Sequence, residues 1–435
     1  MKDDGNLEGF YEFVRKYAGA DVNSLRLKLH ASGELDRRTG ELIQIAARIK
    51  TSRKLTSFLS CEKFVFPSLL SAEQATHQAV AAYHAHLIGR GHNALDMTAG
   101  LGIDSFAIAL CGNSVTSIEL DQDRYEALSH NVRVLGIKSD EIDTVQGDSI
   151  EWLREKSQET DFKPFDAIFI DPARRDSAGG RTYFFSDCLP NVVENYKLIT
   201  QSAKRVYVKS SPIIDITQAI RELPDINEIH IVSVNGECKE VLCVVEHPAS
   251  IENTGNIDNS TNIDNTDNIK ITVVDLKPDV AIGGEDGITR PIEISRFEVD
   301  FSVLGNSGAP MAGSADIHPG AYVYDPNAGM HKLNAAKAIC DRFPGLKRLA
   351  PDSDLYCSDT LHEDFPGRIF EVAKVIEGKD KKQLKGEKRE IISRNHPLAA
   401  DAIRKKFGLK PGCNSEFIIA TRLGSSPILI DVTRL

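Results

Sequence analysis

Four acidic groups along one stretch of the chain could each do chemistry on a nucleoside ligand. The first opens Asp96-Met97-Thr98-Ala99-Gly100-Leu101-Gly102, which follows the short apolar run Ala94-Leu95 and precedes the helix-like Phe106-Ala107-Ile108-Ala109-Leu110. Gly100 and Gly102 let the backbone approach a ligand or take positive φ, just past a strand's carboxyl end, where open α/β sheets bind ligands. A dinucleotide loop would carry G-x-G-x-x-G here, but the third position is Ser105 and Asp96 stands before the loop. A carboxylate at that place repels a pyrophosphate and attracts the cationic amino-acid end of a sulfonium nucleoside. Glu119, in VTSIELD, can accept both hydroxyls of a ribose; Asp148, in TVQGDSIEWL, can receive an adenine amino group. After FDAIFI comes Asp171-Pro172-Ala173-Arg174-Arg175, an acid-proline pair facing the reactive carbon and its acceptor.

These groups need strands to present them. The pattern predicts strands over Ala94–Met97, Val115–Leu120, Asp143–Gln146, Ala167–Ile170 and Arg205–Lys209, with helices between them, notably Arg124–Leu135 and Ile150–Glu155. Two more strands, Glu228–Val234 and Glu240–Glu246, flank Asn235-Gly236, a strong hairpin signal. Such alternation implies a mostly parallel sheet with helices on both faces, ending in one antiparallel strand. Upstream, residues 1–90 read as helices, including Gly40–Lys50 and a single helix in SLLSAEQATHQAVAAYHAHLI with Ser71 as N-cap. Downstream, the Asn-rich tract within 249–269 reads as a flexible linker. Beyond it, ITVVDLKPD, RPIEISRFEVDFSVL, IFEVAKVI, EFIIATRL and PILIDVTRL read as strands, and AAKAICDRF and HPLAADAIRKKFGL as helices. The fold class expected is therefore α/β, with a Rossmann-like seven-stranded sheet, a helical N-terminal region and C-terminal α+β domains.

The four strand-end groups together make residues 91–248 resemble the class I S-adenosylmethionine-dependent methyltransferases. Asp96-x-Thr98-x-Gly100-x-Gly102 occupies the first motif of that family, with Thr98 in place of its first glycine. Glu119, Asp148 and Asp171-Pro172 match the groups after its second, third and fourth strands. The resemblance implies S-adenosylmethionine as cofactor, held by Asp96, Thr98, Gly100, Gly102, Glu119 and Asp148. Around SRNHPLAADAIRKKFGLKPG and FIIATRL the chain is similar to a THUMP-like domain, which in its bacterial family follows a small ferredoxin-like domain. The implied arrangement is a ferredoxin-like domain over 270–318 and a THUMP-like domain over 319–435.

For the acceptor, Asp171, Pro172 and Arg174 are the catalytic candidates, Asp171 accepting a hydrogen bond from an amine that sheds a proton. Ala173 and Arg174 stand where the family's adenine-amine enzymes carry a second proline and an aromatic. Tyr183 and Phe184 could form a wall for an extruded base, or Phe184 and Phe185 could be core residues. Arg174 and Arg175 could meet phosphate or guanine, or pair with Asp176. Gln74 and His77 could line the pocket, although a lone helical histidine is more often structural, and Lys209 joins the substrate-binding set. DMTAGLG is similar to a ribosomal guanine methyltransferase motif, and Phe66-Pro67 before the first strand is similar to cap trimethylguanosine synthases. Both point to the exocyclic amine of guanine.

The net charge of −11 argues against one continuous nucleic-acid-binding surface but leaves room for a patch. Between Lys379 and Lys410 there are eleven Lys or Arg against four acids, a local +7 that suits the phosphates of tRNA or rRNA. Methylation of a protein or small molecule is the alternative. A nicotinamide-dependent dehydrogenase is disfavoured by Asp96 and by Asp171-Pro172. The eight cysteines include no CxxC pair, so no metal site is expected. No eighteen-residue apolar run exists and MKDDGNLEGF lacks the pattern of a signal peptide, so no membrane association and a cytoplasmic location are expected.

Overall fold

A computed structural model describes residues 7–174, 184–247, 268–282, 290–305, 307–378, 380–412 and 415–435. Apart from its last residues, the tract expected to be a linker lies outside them, as do Arg175 and Tyr183.

Helices α1 (Leu7–Lys16), α2 (Val22–Ala31), α3 (Thr39–Thr51), α4 (Thr56–Leu59), α5 (Leu69–Gln74) and α6 (Gln78–Ile88) come first. The single helix expected over 68–88 is two. Ser68, rather than Ser71, caps α5, its hydroxyl accepting the Ser71 N–H at 3.0 Å. The chain leaves helical geometry at Ala75, with ψ 140°, and His77 starts α6 by accepting the Ala79 N–H on Nδ1. Each cap satisfies amides that a helix start leaves without partners, so the break costs little. The helices share the sheet's core: Leu55, Phe58, Phe64 and Phe66 cluster with Ile103, Phe106, Val115 and Ala167. Phe66 is pinned on both backbone groups by Gln44, at 2.9 and 2.7 Å.

Strands β1 (Asn93–Asp96), β2 (Ser114–Glu119), β3 (Ile142–Gln146) and β4 (Phe165–Ile170) alternate with α7 (Ile103–Leu110), α8 (Gln122–Val134) and α9 (Ser149–Lys156). A short ribbon of β5 (Ala173–Arg174) and β6 (Cys188–Leu189) follows, then α10 (Tyr196–Gln201), β7 (Ala203–Ser210) and α11 (Ile216–Glu222). β1 to β4 and β7 pair in parallel, and β8 (Ile226–Val234) turns through Asn235 (φ 50°) and Gly236 (φ 79°) into β9 (Glu237–Glu246), antiparallel to β7. Positive φ at both turn residues is what a two-residue hairpin requires. The order β8-β9-β7-β4-β1-β2-β3 is the seven-stranded sheet with terminal hairpin expected from the pattern. Its five parallel strands all end at one edge, so the side chains just past them converge.

Strands β10 (Lys270–Leu276) and β11 (Glu293–Asp300) follow, within the range 270–318 expected to be a ferredoxin-like domain.

Ser295–Leu435 is the main part of a second compact unit. It holds β12 (Tyr322–Pro326), α12 (Ala328–Leu333), α13 (Ala336–Arg342), β13 (Lys347–Arg348), β14 (Tyr356–Ser358), β15 (Gly367–Val375), α14 (Asp380–Gln383), β16 (Glu390–Ser393), α15 (Ala400–Phe407), β17 (Glu416–Leu423) and β18 (Ser426–Arg434). Its seven strands form one sheet, ordered β13-β14-β12-β15-β18-β17-β16. Val323, Cys357, Phe370, Val372, Ile419 and Ile430 share its core.

Candidate active site

The loops after β1 to β4 and β7, with the break between α5 and α6, enclose a cavity of about 760 Å³. That volume lies within the range of small-molecule sites. Of the residues expected to hold a cofactor, Thr98, Gly100, Glu119 and Asp148 line it, and Asp171, Pro172, Gln74 and Lys209 line it on the acceptor side.

Gly100 (φ 54°) leaves room beside it: a Cβ there would meet nothing nearer than the Thr98 carbonyl oxygen at 3.9 Å. Its N–H donates to Glu119 Oε2 at 2.8 Å, tying the first loop to the end of β2. Glu119 Oε1 accepts from the Asp121 N–H at 2.8 Å and Arg124 Nε at 2.9 Å, so the carboxylate is held rigid at the wall. Asp148 starts α9, with Oδ1 accepting the Ile150 and Glu151 amides at 2.8 and 3.1 Å. Gly102 (φ 90°) serves packing instead. A Cβ there would stand 2.5 Å from Leu128 Cδ1 and closer still to Phe106 Cζ, both in the core.

Asp96 differs from its expected role. It is 1% exposed and outside the cavity wall, with Oδ1 accepting the Thr98 N–H at 3.0 Å and Oδ2 the Ser105 hydroxyl at 2.5 Å. Burial, opposed by the Ser105 hydrogen bond, pushes its carboxyl up to about 7. Asp96 ties the loop to α7 through Thr98 and Ser105; Asp104, in the first turn of α7, reaches the wall where Asp96 does not. Thr98, in place of a glycine, has a use: its Oγ1 accepts the Asp171 N–H at 2.7 Å, linking the first and fourth loops.

Asp171 is part of a network that the sequence did not disclose. Lys209 Nζ donates to Asp171 Oδ2 at 2.6 Å and to Thr76 Oγ1 at 3.1 Å. The Thr76 hydroxyl donates to Asp104 Oδ2 at 2.5 Å, and His84 bridges Asp104 Oδ1 (2.7 Å) to Glu240 Oε1 (2.5 Å). Burial disfavours a charged imidazole at His84, yet Glu240 and Asp104 on its two nitrogens outweigh it and raise it to about 9. Burial likewise opposes the Lys209 ammonium, but Asp171, Glu240 and Asp104 raise it well above the lysine range. Asp104 is desolvated too, and the His84 hydrogen bond and charge hold it below the usual carboxylate value.

Other expected residues stand elsewhere. His77 is the cap of α6 and is not in the cavity wall, the structural role weighed above. Arg174 is exposed on β5, outside the wall, where Ala173 takes its place. Phe184 is half-buried and does not line the cavity, while Phe185 is fully buried, its N–H on Glu222 Oε2 at 2.9 Å. The apolar wall beside Asp171 is built from Pro172, Leu189 and Pro190, brought together by the β5–β6 ribbon pairing Ala173 with Leu189. Glu240 acts across 156 residues from His84, a pairing no local pattern announces.

Among the described residues no group of His, Cys, Asp and Glu could hold a metal ion, and no helix is long and apolar enough to cross a membrane.

Comparison with known proteins agrees with this geometry. The RNA cap guanine-N2 methyltransferase family model matches residues 91–247, a ferredoxin-like domain model matches 322–366 and a THUMP domain-like model matches 367–434. The last two matches lie on the one sheet of the second unit, both within the range expected to be THUMP-like alone. No curated protein matches the chain. A crystal structure of a candidate methyltransferase from Porphyromonas gingivalis W83 covers 100% of this chain and 99% of its own, with 24% identity and a TM-score of 0.78. The 16S rRNA N2 G1207 methyltransferase of T. thermophilus, in complex with AdoMet and guanosine, covers 40% of this chain and 43% of its own (16% identity, TM-score 0.29). A SAM-dependent methyltransferase of Neisseria gonorrhoeae covers 40% and 69% (20% identity, TM-score 0.27). The Gly100 cradle, the Glu119 and Asp148 carboxylates and the size of the cavity fit a sulfonium nucleoside. The chain is an S-adenosylmethionine-dependent methyltransferase of class I, carrying ferredoxin-like and THUMP-like domains after its catalytic domain.

Proposed function

We propose that the enzyme methylates the exocyclic amine of a guanine in tRNA or rRNA. The observation that carries this reading is Asp171-Pro172 at the end of β4, on the cavity wall beside an apolar surface, in a segment matching the RNA cap guanine-N2 methyltransferase family. Glu119 would take the ribose hydroxyls of the cofactor, Asp148 the adenine amino group, and the loop through Gly100 its amino-acid end. S-adenosylmethionine supplies an electrophilic methyl group, whose bond to sulfur breaks with its electron pair going to sulfur as the acceptor nitrogen bonds to carbon. Asp171 accepts an N–H of the acceptor amine and so aims the nitrogen, which is the positioning that an in-line displacement needs most. Lys209, already an ammonium, takes no proton, and the excess proton of the methylated amine leaves to solvent. Pro172, Leu189 and Pro190 offer an aliphatic surface against which an extruded base lies.

The basic segment supports an RNA acceptor in part. Arg389 is spent on Glu416 and Asp431, Arg404 on Glu390 and Arg394 on Asp325. Lys381, Lys385, Lys388, Lys405, Lys406 and Lys410 are exposed and have no ion-pair partner among the described residues. A run of unpaired lysines is what phosphate binding uses. Cys61, Cys243, Cys340 and Cys357 are free thiols, which fits a cytoplasmic location.

The test is mass spectrometry of nucleosides from total RNA of a deletion strain beside its parent. The reading expects one methylated guanosine to vanish; unchanged methylguanosines would end it.

A further inference from the structure

Lys209 and its neighbours do more than line a wall. The Lys209 side chain is only 12% exposed, and its ammonium is used on protein groups: Asp171 Oδ2 at 2.6 Å, Thr76 Oγ1 at 3.1 Å and, more loosely, Glu240 Oε2 at 3.9 Å. Little of it is left for a substrate. The hydrogen bonds also have a fixed direction. Lys209 donates to the Thr76 oxygen, so the Thr76 hydroxyl proton goes to Asp104. Carboxylates only accept, so His84, set between Asp104 and Glu240, donates from both nitrogens and is an imidazolium. Asp171, Asp104 and Glu240 thus surround the Lys209 and His84 cations, three carboxylates against two positive charges. The set is also stiff: His84 is fully buried in the helix above the sheet, and its ring stands 4.9 Å from that of Phe169 on β4.

Among the described residues, Asp171 by contrast has little else to fix its side chain. Its N–H is held by Thr98, but its side chain is 38% exposed, and the Lys209 bond is the one hydrogen bond to either carboxylate oxygen among those residues. A carboxylate free to turn about χ2 would spend much of its time aimed away from the acceptor.

We propose that Lys209 is a positioning residue for methyl transfer: its ammonium locks one oxygen of Asp171, so that the other is presented to the acceptor amine, and the Thr76–Asp104–His84–Glu240 chain holds that ammonium in place. This rests on the reading of Asp171 as the group that receives the acceptor N–H. Lys209 is then not a substrate ligand. Methionine at 209 keeps much of the side chain's length and removes the charge, whereas arginine keeps the charge. Thr76→Val removes only the hydroxyl that relays between Lys209 and Asp104.

The experiment uses the full-length protein, tritiated S-adenosylmethionine and bulk RNA from a strain lacking this chain. Lys209→Met should bind S-adenosylhomocysteine within about threefold of wild type yet transfer methyl at saturating RNA about 100-fold more slowly, the scale on which a lost orienting hydrogen bond acts. Lys209→Arg should recover part of that rate. Thr76→Val should lower it in the same direction and is the variant to rely on if Lys209→Met does not fold. Wild-type rates in both Lys209→Met and Thr76→Val overturn the proposal, as does a loss of S-adenosylhomocysteine affinity equal to the loss of rate. If the wild-type protein transfers nothing to RNA, it is the acceptor reading that fails. The positioning claim is then decided by crystals of Lys209→Met with S-adenosylhomocysteine. An Asp171 carboxylate turned from its wild-type orientation supports it, and one left unmoved overturns it.

Discussion

The two glycines of the first loop should fail in different ways when given a methyl group. At Gly102 an added Cβ would overlap Leu128 Cδ1, at 2.5 Å, and the Phe106 ring, and both side chains are fully buried with no room to retreat. Overpacking of that kind costs about 1–3 kcal/mol, and holding alanine at positive φ adds about 1–2 kcal/mol. Gly102→Ala should therefore lose roughly 2–5 kcal/mol of stability, which lowers the midpoint of the catalytic domain's melting by roughly 4–20 °C. Gly100→Ala meets no atom within 3.9 Å, so it carries only the backbone cost of about 1–2 kcal/mol. Its methyl group would instead stand in the cradle where the cofactor's amino-acid end is placed. Loss of even one close contact there, about 1.4 kcal/mol, is a tenfold loss of affinity. Differential scanning calorimetry and titration calorimetry with S-adenosylhomocysteine separate the two effects. Gly102→Ala melting with the wild type, or Gly100→Ala binding S-adenosylhomocysteine unchanged, would refute these roles.

Other perturbations follow from the same site. Asp171→Ala should leave S-adenosylhomocysteine affinity near wild type and cut methyl transfer by about 100-fold or more; full residual activity would remove Asp171 from the reaction. His84 has a folded value of about 9 against an ordinary 6.5, a raised value, so its contribution to stability is complete below about 6.5 and is lost as pH rises through 9. Melting followed from pH 6 to 10 should show wild type losing stability across that window and His84→Asn losing less; parallel curves would contradict an imidazolium at His84. Replacing Lys385, Lys388, Lys405, Lys406 and Lys410 by alanine should flatten the salt dependence of RNA binding, by up to about 0.7–0.9 in log-log slope for each lost phosphate contact. An unchanged slope would show that these lysines are not the RNA surface.

Much of the catalytic domain was legible because its signals are local. Strand ends at Asp96, Glu119, Gln146 and Ile170 fell within a residue of expectation, since short apolar runs bounded by Gly, Asp or Pro mark them directly. The four strand-end groups were readable for the same reason, as each lies next to its strand. What the sequence hid is set by tertiary contacts. A single helix over 68–88 has the better local pattern, yet the chain breaks at Ala75, where the next residue, Thr76, reaches Asp104. Asp96 carries the motif's acid, but only the fold shows it buried and Asp104 at the wall. The union of His84 with Glu240 joins a helix to the last strand of the hairpin, which spacing alone does not reveal.

Where the donor nucleoside lies decides the function of every residue in the cavity. A crystal structure of the full chain with S-adenosylhomocysteine should show its ribose on Glu119, its adenine beside Asp148 and its sulfur facing Asp171. A nucleoside bound elsewhere, or a cavity left empty at saturating concentration, would contradict it.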